Sequence, residues 1–216
     1  MSFVLFAGCR YFGIMLGDKR SCDSNGDVIS ENIEKVKKIN DNLIFAGAGD
    51  EDIINLTHEY LYKNNQYNQL TFDVTLNLLK DNYCLLYQKL LELAKNQCVE
   101  RSTEVSANIG ITSIINNIIS FASITLYNDT IKIVPKYLST DNDIIICYLG
   151  VGLGNLGKCF ENKFKDTNIF SINNLKATFQ KTLNDNVKND FSINNKILYE
   201  TIVRSDIYDE RNDRPL

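Results

Sequence analysis

The only histidine of this chain, His58, limits the acyl-transfer chemistry that the sequence can support. A catalytic triad built on serine or cysteine needs an imidazole base, and zinc centres commonly use imidazole ligands. His58 lies in the middle of a predicted helix, between Thr57 and Glu59, and nothing near it forms a nucleophile motif. We therefore interpret His58 as a structural residue and predict neither a histidine-dependent active site nor a metal site.

A second route to acyl transfer needs no histidine, because a nucleophile at the start of a chain can use its own amine as general base. The ordinary pKa of an α-amine is about 7.7–8.0, close to working pH. Ser2 would supply both hydroxyl and amine once Met1 is removed. Such a serine needs a nearby cation and a carboxylate that holds the cation. Asp18 follows one predicted strand and Lys35 starts another, so both could meet Ser2 at one end of a sheet.

The elements that must position these residues come in groups of strands and groups of helices. Apolar runs rich in strand formers predict strands at 2–9, 12–16, 28–32, 35–39, 43–47, 105–112, 118–126, 130–137, 144–149 and 196–204. Helical spacing predicts helices after the acidic turn at 50–52, at 71–96, after a glycine-rich stretch up to about 165, and at 173–187. Strands grouped apart from helices favour antiparallel sheets covered by helices, an α+β fold.

The composition favours one folded domain. The chain has 216 residues, of which 44% are hydrophobic and 23% are charged, which suffices for a sizeable core. No linker rich in Pro, Gly or Ser divides it, so we predict a single domain over 1–205 and a loose polar tail over 206–216. Six scattered cysteines without a CxxC motif are typical of reduced thiols in a cytoplasmic protein.

Charge and hydropathy argue against two classes of partner. Lys and Arg number 23 and Asp and Glu number 27, for a net charge of −4, without a clustered basic segment. Such a chain is a poor electrostatic partner for nucleic acid. No apolar run approaches the roughly 20 residues that cross a bilayer. We therefore predict neither a nucleic-acid partner nor a membrane partner.

The glycine-rich stretch at 150–157 invites a cofactor interpretation. Gly152, Gly154 and Gly157 fit the G-x-G-x-x-G spacing of dinucleotide-binding turns. That motif requires a parallel βαβ setting and an acidic residue after the next strand. Here strands precede the stretch and two helices follow it, so we interpret it as a tight strand-to-helix turn and expect no cofactor.

The first quarter of the chain carries segments that resemble those of a known family. After the strand that begins at Ser2 come the segments GIMLGDKR at 13–20, NIEKV at 32–36 and LIFAGAG at 43–49. They resemble the G-(apolar)-A-A/G-D-x-R, N-V-x-K and apolar-A-G-x segments of proteasome β subunits and of the bacterial HslV peptidase, which are N-terminal nucleophile (Ntn) hydrolases. The strong match covers about residues 2–60, and the later elements fit by their order.

The resemblance implies a four-layer αββα sandwich of two antiparallel sheets flanked by helices, and an enzyme that hydrolyses peptide bonds. Ser2, in place of the usual threonine, would be the nucleophile, with its amine as proton acceptor. Lys35 would lower the pKa of the nucleophile, and Asp18 would orient Lys35. The backbone N–H of Gly49 would bind the oxyanion of the tetrahedral intermediate.

The resemblance also implies residues that bind substrate. Ser21 and Cys22 would lie along a peptide that binds as an added strand. Ile33 and Glu51 would shape the specificity pocket, where Glu51 would favour a basic side chain. The implied partners are a polypeptide substrate, further copies in a homo-oligomeric ring, and an ATP-dependent unfoldase.

The chain departs from the family at three places. Leu153 replaces the serine of a Gly-Ser-Gly segment, and the late Asp-x-x-Ser is matched only by Asp190 and Ser192, one residue short. Asp50 follows Gly49 where the family commonly has glycine, which brings a negative charge near the expected oxyanion site. These departures leave open a second hypothesis, that the chain is a catalytically silent assembly subunit of the same fold.

A third hypothesis keeps the acyl-enzyme but changes its fate. An amine can accept the acyl group instead of water, which would make the protein a peptide ligase similar to connectase, a distant relative of the proteasome. Transfer and hydrolysis differ in how well the site excludes water. The sequence does not discriminate between them.

Overall fold

The computed structural model describes residues 3–22, 27–64, 70–96, 105–140, 143–150, 154–165, 170–188, 190, 193–209 and 211–215. Within these ranges the chain forms a mixed α+β fold with several antiparallel sheets and four helices, which confirms the α+β prediction. The strands are β1 (Val4–Gly8), β2 (Phe12–Asp18), β3 (Ser21–Cys22), β4 (Val28–Ser30), β5 (Val36–Asn40), β6 (Leu43–Gly49), β7 (Ser106–Ile115), β8 (Ile118–Tyr127), β9 (Thr130–Leu138), β10 (Ile145–Leu149), β11 (Ile197–Val203), β12 (Tyr208–Asp209) and β13 (Arg214–Pro215). The helices are α1 (Glu51–Asn64), α2 (Phe72–Asn96), α3 (Gly154–Lys165) and α4 (Ile172–Asn186).

The first two strands occupy the centre of a four-stranded antiparallel sheet with the order β10-β1-β2-β11. Every residue of β1 and β2 is buried, which explains why both read as continuous apolar runs. The register pairs Val4 with Gly17, and Ile197 with Asp18. The beginning of β1 and the end of β2 therefore lie at the same edge of this sheet.

The second large sheet has five antiparallel strands in the order β5-β6-β7-β8-β9. Two tight turns join β7 to β8 and β8 to β9, and both use asparagine in the left-handed region. Asn116, Asn117 and Asn128 have φ values of 49°, 62° and 51°. Asparagine tolerates this conformation because its short side chain can hydrogen-bond locally.

Buried apolar side chains form three clusters in the described residues. The first joins the five-stranded sheet to α1 and α2 and includes Leu79. The second joins the four-stranded sheet to α3 and α4 and includes Phe179. The third draws side chains from both sheets, and in it the rings of Phe6 and Phe121 stack with centroids 4.0 Å apart. Each large sheet thus contributes side chains to two clusters.

Short polar side chains begin three of the helices. Asp50 precedes α1, and its Oδ1 accepts hydrogen bonds from the backbone N–H groups of Asp52 and Ile53 at 3.1 and 3.3 Å. Thr71 and Ser171 accept equivalent bonds before α2 and α4. These caps satisfy backbone donors that have no partner inside the helix. No helix in the described part of the chain is long and apolar enough to span a membrane.

The described part of the C-terminal segment, 206–209 and 211–215, makes contacts with the rest of the domain. β12 pairs with β13, and Tyr208 is only 3% exposed. The carboxylate of Asp213 accepts hydrogen bonds from the backbone N–H groups of Ile172 and Asn173 at 2.9 and 2.8 Å. Asp213 thus caps the start of α4, an interaction that local composition does not reveal.

Candidate active site

Asp18 and Lys35 form a buried ion pair at the edge where β1 begins and β2 ends. Lys35 Nζ lies 2.8 Å from Asp18 Oδ1, and the two side chains are 4% and 0% exposed. Asp18 is the last residue of β2, and Lys35 directly precedes β5. The pair therefore joins the end of one large sheet to the beginning of the other.

The Asp18 carboxylate also holds the start of the chain. The backbone N–H of Phe3 donates to Asp18 Oδ1 at 2.9 Å, and the N–H of Arg20 donates to Oδ2 at 3.0 Å. The N–H of Asp18 donates in return to the Phe3 carbonyl at 3.2 Å. Ser2, the predicted nucleophile, lies outside the described residues, but it is covalently bonded to Phe3.

Lys35 is held by its backbone as well as by its ammonium group. The N–H of Gly47 on β6 donates to the Lys35 carbonyl at 3.0 Å. Burial lowers the pKa of Lys35, because desolvation disfavours the charged form. The negative charge of Asp18 is the main opposing influence on this pKa, and Cys22 and Glu51 act in the same direction as Asp18. The site thus contains one buried cation close to three acidic or ionisable groups.

Gly49 ends β6 in a conformation that requires glycine. Its φ is +116°, and a Cβ at this position would lie 2.5 Å from the Ser106 carbonyl oxygen. The next residue, Asp50, donates its N–H to the same carbonyl at 2.9 Å. Because the Asp50 carboxylate caps α1, the positive end of the helix dipole offsets its charge. The extra negative charge noted in the sequence is therefore directed at the helix start.

The structure brings two of the predicted substrate-binding residues into direct contact. Ser21 on β3 donates its hydroxyl to Glu51 Oε2 at 2.8 Å. Cys22, the next residue, is half-buried on the same short strand. Ile33 is half-buried, and its N–H donates to the Lys19 carbonyl at 2.9 Å. Lys19 and Ile33, which follow Asp18 and precede Lys35 in the sequence, are thus hydrogen-bonded to each other.

The predicted accessory residues and the histidine have different surroundings. Asp190 is half-buried after α4, where its N–H donates to the Asn186 carbonyl at 2.9 Å, while Ser192 and Leu153 lie outside the described residues. His58 packs on α1 against Phe45 and Tyr62. Burial lowers the pKa of His58, and its buried Nε2 has no hydrogen-bond partner among the residues that the structure describes.

Asn194 is a site residue that sequence reasoning missed. The residue is 3% exposed, and its Oδ1 accepts a hydrogen bond from the backbone N–H of Lys19 at 3.0 Å. Its Nδ2 donates to Glu31 Oε2 at 2.7 Å and to the Glu31 carbonyl at 3.2 Å. No local signal marks this asparagine, since it lies among several others just before β11.

Comparisons with known proteins add no assignment. No protein-family model and no curated protein sequence matches this chain. Among the residues with described positions, no three His, Cys, Asp or Glu side chains are grouped to hold a metal ion.

Proposed function

We propose that this protein is an Ntn-type peptidase that cleaves polypeptides through Ser2 after removal of Met1. One observation carries the proposal, namely the buried Asp18–Lys35 pair that also binds the amide of Phe3. The Phe3 N–H and Lys35 Nζ donate to the same oxygen, Asp18 Oδ1, and Ser2 is the residue before Phe3 in the sequence. The proposal therefore places the hydroxyl and the amine of Ser2 beside this desolvated cation. That combination suits an N-terminal nucleophile.

We also propose that the fold is the four-layer αββα sandwich of this class. The three apolar clusters support it, since one joins α1 and α2 to a sheet, one joins α3 and α4 to the other sheet, and one draws on both sheets. The order of strands and helices along the chain supports it as well.

In the proposed reaction Ser2 Oγ attacks the carbonyl carbon of the scissile peptide bond, and its proton passes to the α-amine of Ser2. The oxyanion that forms accepts a hydrogen bond from the Gly49 N–H, a donor of a kind worth about 2.7–4 kcal/mol of barrier. The C–N bond then breaks, and the leaving amine takes the proton from the α-ammonium. Water hydrolyses the resulting ester and regenerates Ser2.

Lys35 and Asp18 have separate roles in this reaction. The Lys35 ammonium stabilises negative charge that develops on Ser2 Oγ. This interaction is strong because the side chains of Lys35 and Asp18 are buried away from water. Asp18 orients Lys35 and, through the Phe3 amide, the start of β1. Both residues therefore act on the same hydroxyl, one through charge and the other through geometry.

The substrate is proposed to bind as an extended strand beside β3. Ser21 and Cys22 would supply the edge, since β3 pairs on one side with β4. Glu51 would face the side chain that precedes the cleaved bond, next to Ile33. The contact between Ser21 and Glu51 supports a shared pocket for these residues.

The decisive experiment is an intact-mass measurement on protein that begins with Ser2. Incubation with a β-lactone should add the full mass of the lactone, because ring opening forms an ester on Ser2 without a leaving group. Ser2→Ala is expected to give no adduct, whereas Ser30→Ala on β4 is the matched control and should react normally. Absence of both adduct and peptide turnover in the wild type would exclude the peptidase and favour the silent assembly subunit.

Two further parts of the proposal have their own tests. The acyl-enzyme passes to water in a peptidase and to an added amine in a connectase-like ligase, so product masses with an amine acceptor distinguish the two. We also propose a homo-oligomeric ring that receives substrate from an ATP-dependent unfoldase. The exposed Val74 and Leu85 on α2, at 46% and 63% exposure, support contacts between copies. Light scattering that finds only a monomer would contradict the ring.

A further inference from the structure

Asn194 joins three segments that are far apart in the chain. It lies just before β11, its Oδ1 binds the Lys19 N–H beyond the end of β2, and its Nδ2 binds Glu31 ahead of β5. The partners are 175 and 163 residues away in sequence. One buried amide is therefore hydrogen-bonded to both the segment that carries Asp18 and the segment that leads to Lys35.

Other contacts connect the same two segments. The Ile33 N–H donates to the Lys19 carbonyl at 2.9 Å, and Arg20 Nη2 lies 2.8 Å from Glu31 Oε1. Arg20 in turn donates its N–H to Asp18 Oδ2. The Asn194 Oδ1 thus binds Lys19, which is adjacent to Asp18, and the Asn194 Nδ2 binds Glu31 in the loop that leads to Lys35.

We propose that Asn194 is a positioning residue that sets the geometry of the Asp18–Lys35 pair. The inference rests on the proposed function, because it assigns Asn194 a role in activating the nucleophile through that pair. Removal of the amide leaves the Lys19 N–H without the Asn194 acceptor, and it leaves Glu31 paired with Arg20 but without the Asn194 donor. The loop before β5 then has fewer contacts with the end of β2, and water reaches the pair.

The groups around Lys35 and Glu31 determine the direction in which loss of the Asn194 amide should shift the pKa of Lys35. Asp18, Cys22 and Glu51 influence Lys35, while Arg20, Lys196 and Asn194 surround Glu31. Since burial is the largest influence on Lys35, entry of water into the site raises its pKa towards the ordinary value. A substitution that merely destabilises the domain leaves the pKa of Lys35 in the folded protein unchanged.

The experiment compares Asn194→Ala and Asn194→Asp with Asn195→Ala. Asn195 is the matched control because it is adjacent and exposed, and its backbone carbonyl is what Gln180 contacts. Lysine labelled with ¹³C at Cε reports the Lys35 pKa by NMR, and β-lactone acylation is measured across pH. If neither Asn194 variant folds, Glu31→Ala serves instead, because that side chain is 41% exposed.

We expect both Asn194 variants to raise the pKa of Lys35 and to slow acylation by about tenfold or more, as small misplacements of catalytic groups do. Asn195→Ala should match the wild type. A folded Asn194 variant with unchanged Lys35 pKa and unchanged acylation profile overturns the inference. If the wild type is not acylated at all, the peptidase proposal fails, while the NMR comparison still decides whether Asn194 positions the pair.

Discussion

Lys35 Nζ and Asp18 Oδ1 lie 2.8 Å apart, with the two side chains only 4% and 0% exposed. Desolvating two charges is costly, so such a pair contributes little net stability compared with apolar residues of the same size. Removing one member of the pair is strongly destabilising, because the remaining charge stays buried without its partner. The proposed chemistry at Ser2 would account for the location of the pair beside Phe3, which net stability alone does not.

Removal of one member of the pair should strongly destabilise the domain. We expect Lys35→Met and Asp18→Asn each to lower the free energy of unfolding by about 3–5 kcal/mol, and the double variant to recover much of that loss. Urea denaturation measures all three. Lys38→Ala is the control, since Lys38 is 48% exposed and 3.5 Å from Glu200, a pair worth about 0–1 kcal/mol. Equal effects of Lys35→Met and Lys38→Ala would contradict the prediction.

Substitution of Gly49 should damage both stability and acylation. In Gly49→Ala the Cβ meets the Ser106 carbonyl at a φ of +116°, so the end of β6 must shift. We expect a loss of about 1–3 kcal/mol in unfolding free energy from backbone strain, together with loss of β-lactone labelling. In the control, Gly157→Ala, the nearest atom is 3.3 Å away on the Tyr148 ring. A Gly49→Ala protein that labels at the wild-type rate would contradict the prediction that the added Cβ displaces the end of β6.

Glu51 should determine selectivity between basic and neutral substrates. Glu51→Gln is expected to lower kcat/KM about tenfold for peptides with lysine or arginine before the cleaved bond, which corresponds to about 1.4 kcal/mol. Turnover of the leucine analogue should hardly change. Asp52→Asn, one residue further on the same helix turn, is the matched control. An equal loss of kcat/KM for the basic and the leucine peptides would show that Glu51 does not discriminate between substrates by charge.

His58 should make the domain less stable in mild acid. Burial first, and then Lys37, lowers the pKa of His58, whereas Glu59 and Glu34 act in the opposite direction. The unfolded chain, with a histidine pKa of about 6.5, then binds a proton at higher pH than the folded protein. Stability therefore falls as pH drops below about 6.5, until the folded pKa is passed. Urea titrations at several pH values measure this effect, and His58→Phe should lose less unfolding free energy between neutral pH and mild acid than the wild type does. An identical loss in the two proteins would show that His58 is not its source.

The Asp213 cap should stabilise α4 in a pH-dependent way. Burial acts to raise the pKa of Asp213, but hydrogen bonds from Tyr208, Asn173 and Ile172 outweigh it and hold the pKa below its usual value. The stabilisation is therefore present above the unfolded pKa and is lost as pH falls through the folded pKa. Thermal unfolding of Asp213→Ala should show a loss of about 0.5–2 kcal/mol at neutral pH. Asp206→Ala, at an exposed ion pair with Arg204, is the control and should unfold like the wild type.

Local patterns in the sequence predicted most elements of the fold. The Thr71 cap and the helical spacing after it predicted α2, and apolar runs predicted the strands from β7 to β10. The β12–β13 hairpin escaped prediction, because the burial of Tyr208 and the capping by Asp213 depend on α4, which lies some 40 residues earlier in the chain. Contacts between residues so far apart in the sequence produce no periodic pattern by which they could be predicted.

The sequence by itself determined the kinds of groups available, namely a serine at position 2, an acid at 18, a lysine at 35 and a glycine at 49. It also indicated the strands next to these groups along the chain, because strand periodicity is a local property. Only the tertiary structure decided that Lys35 meets Asp18 at 2.8 Å, out of water, and that Asn194 ties their two segments together. Desolvation and long-range hydrogen bonds arise when distant segments pack, so the charge state and the precise positions of these groups belong to the folded protein alone.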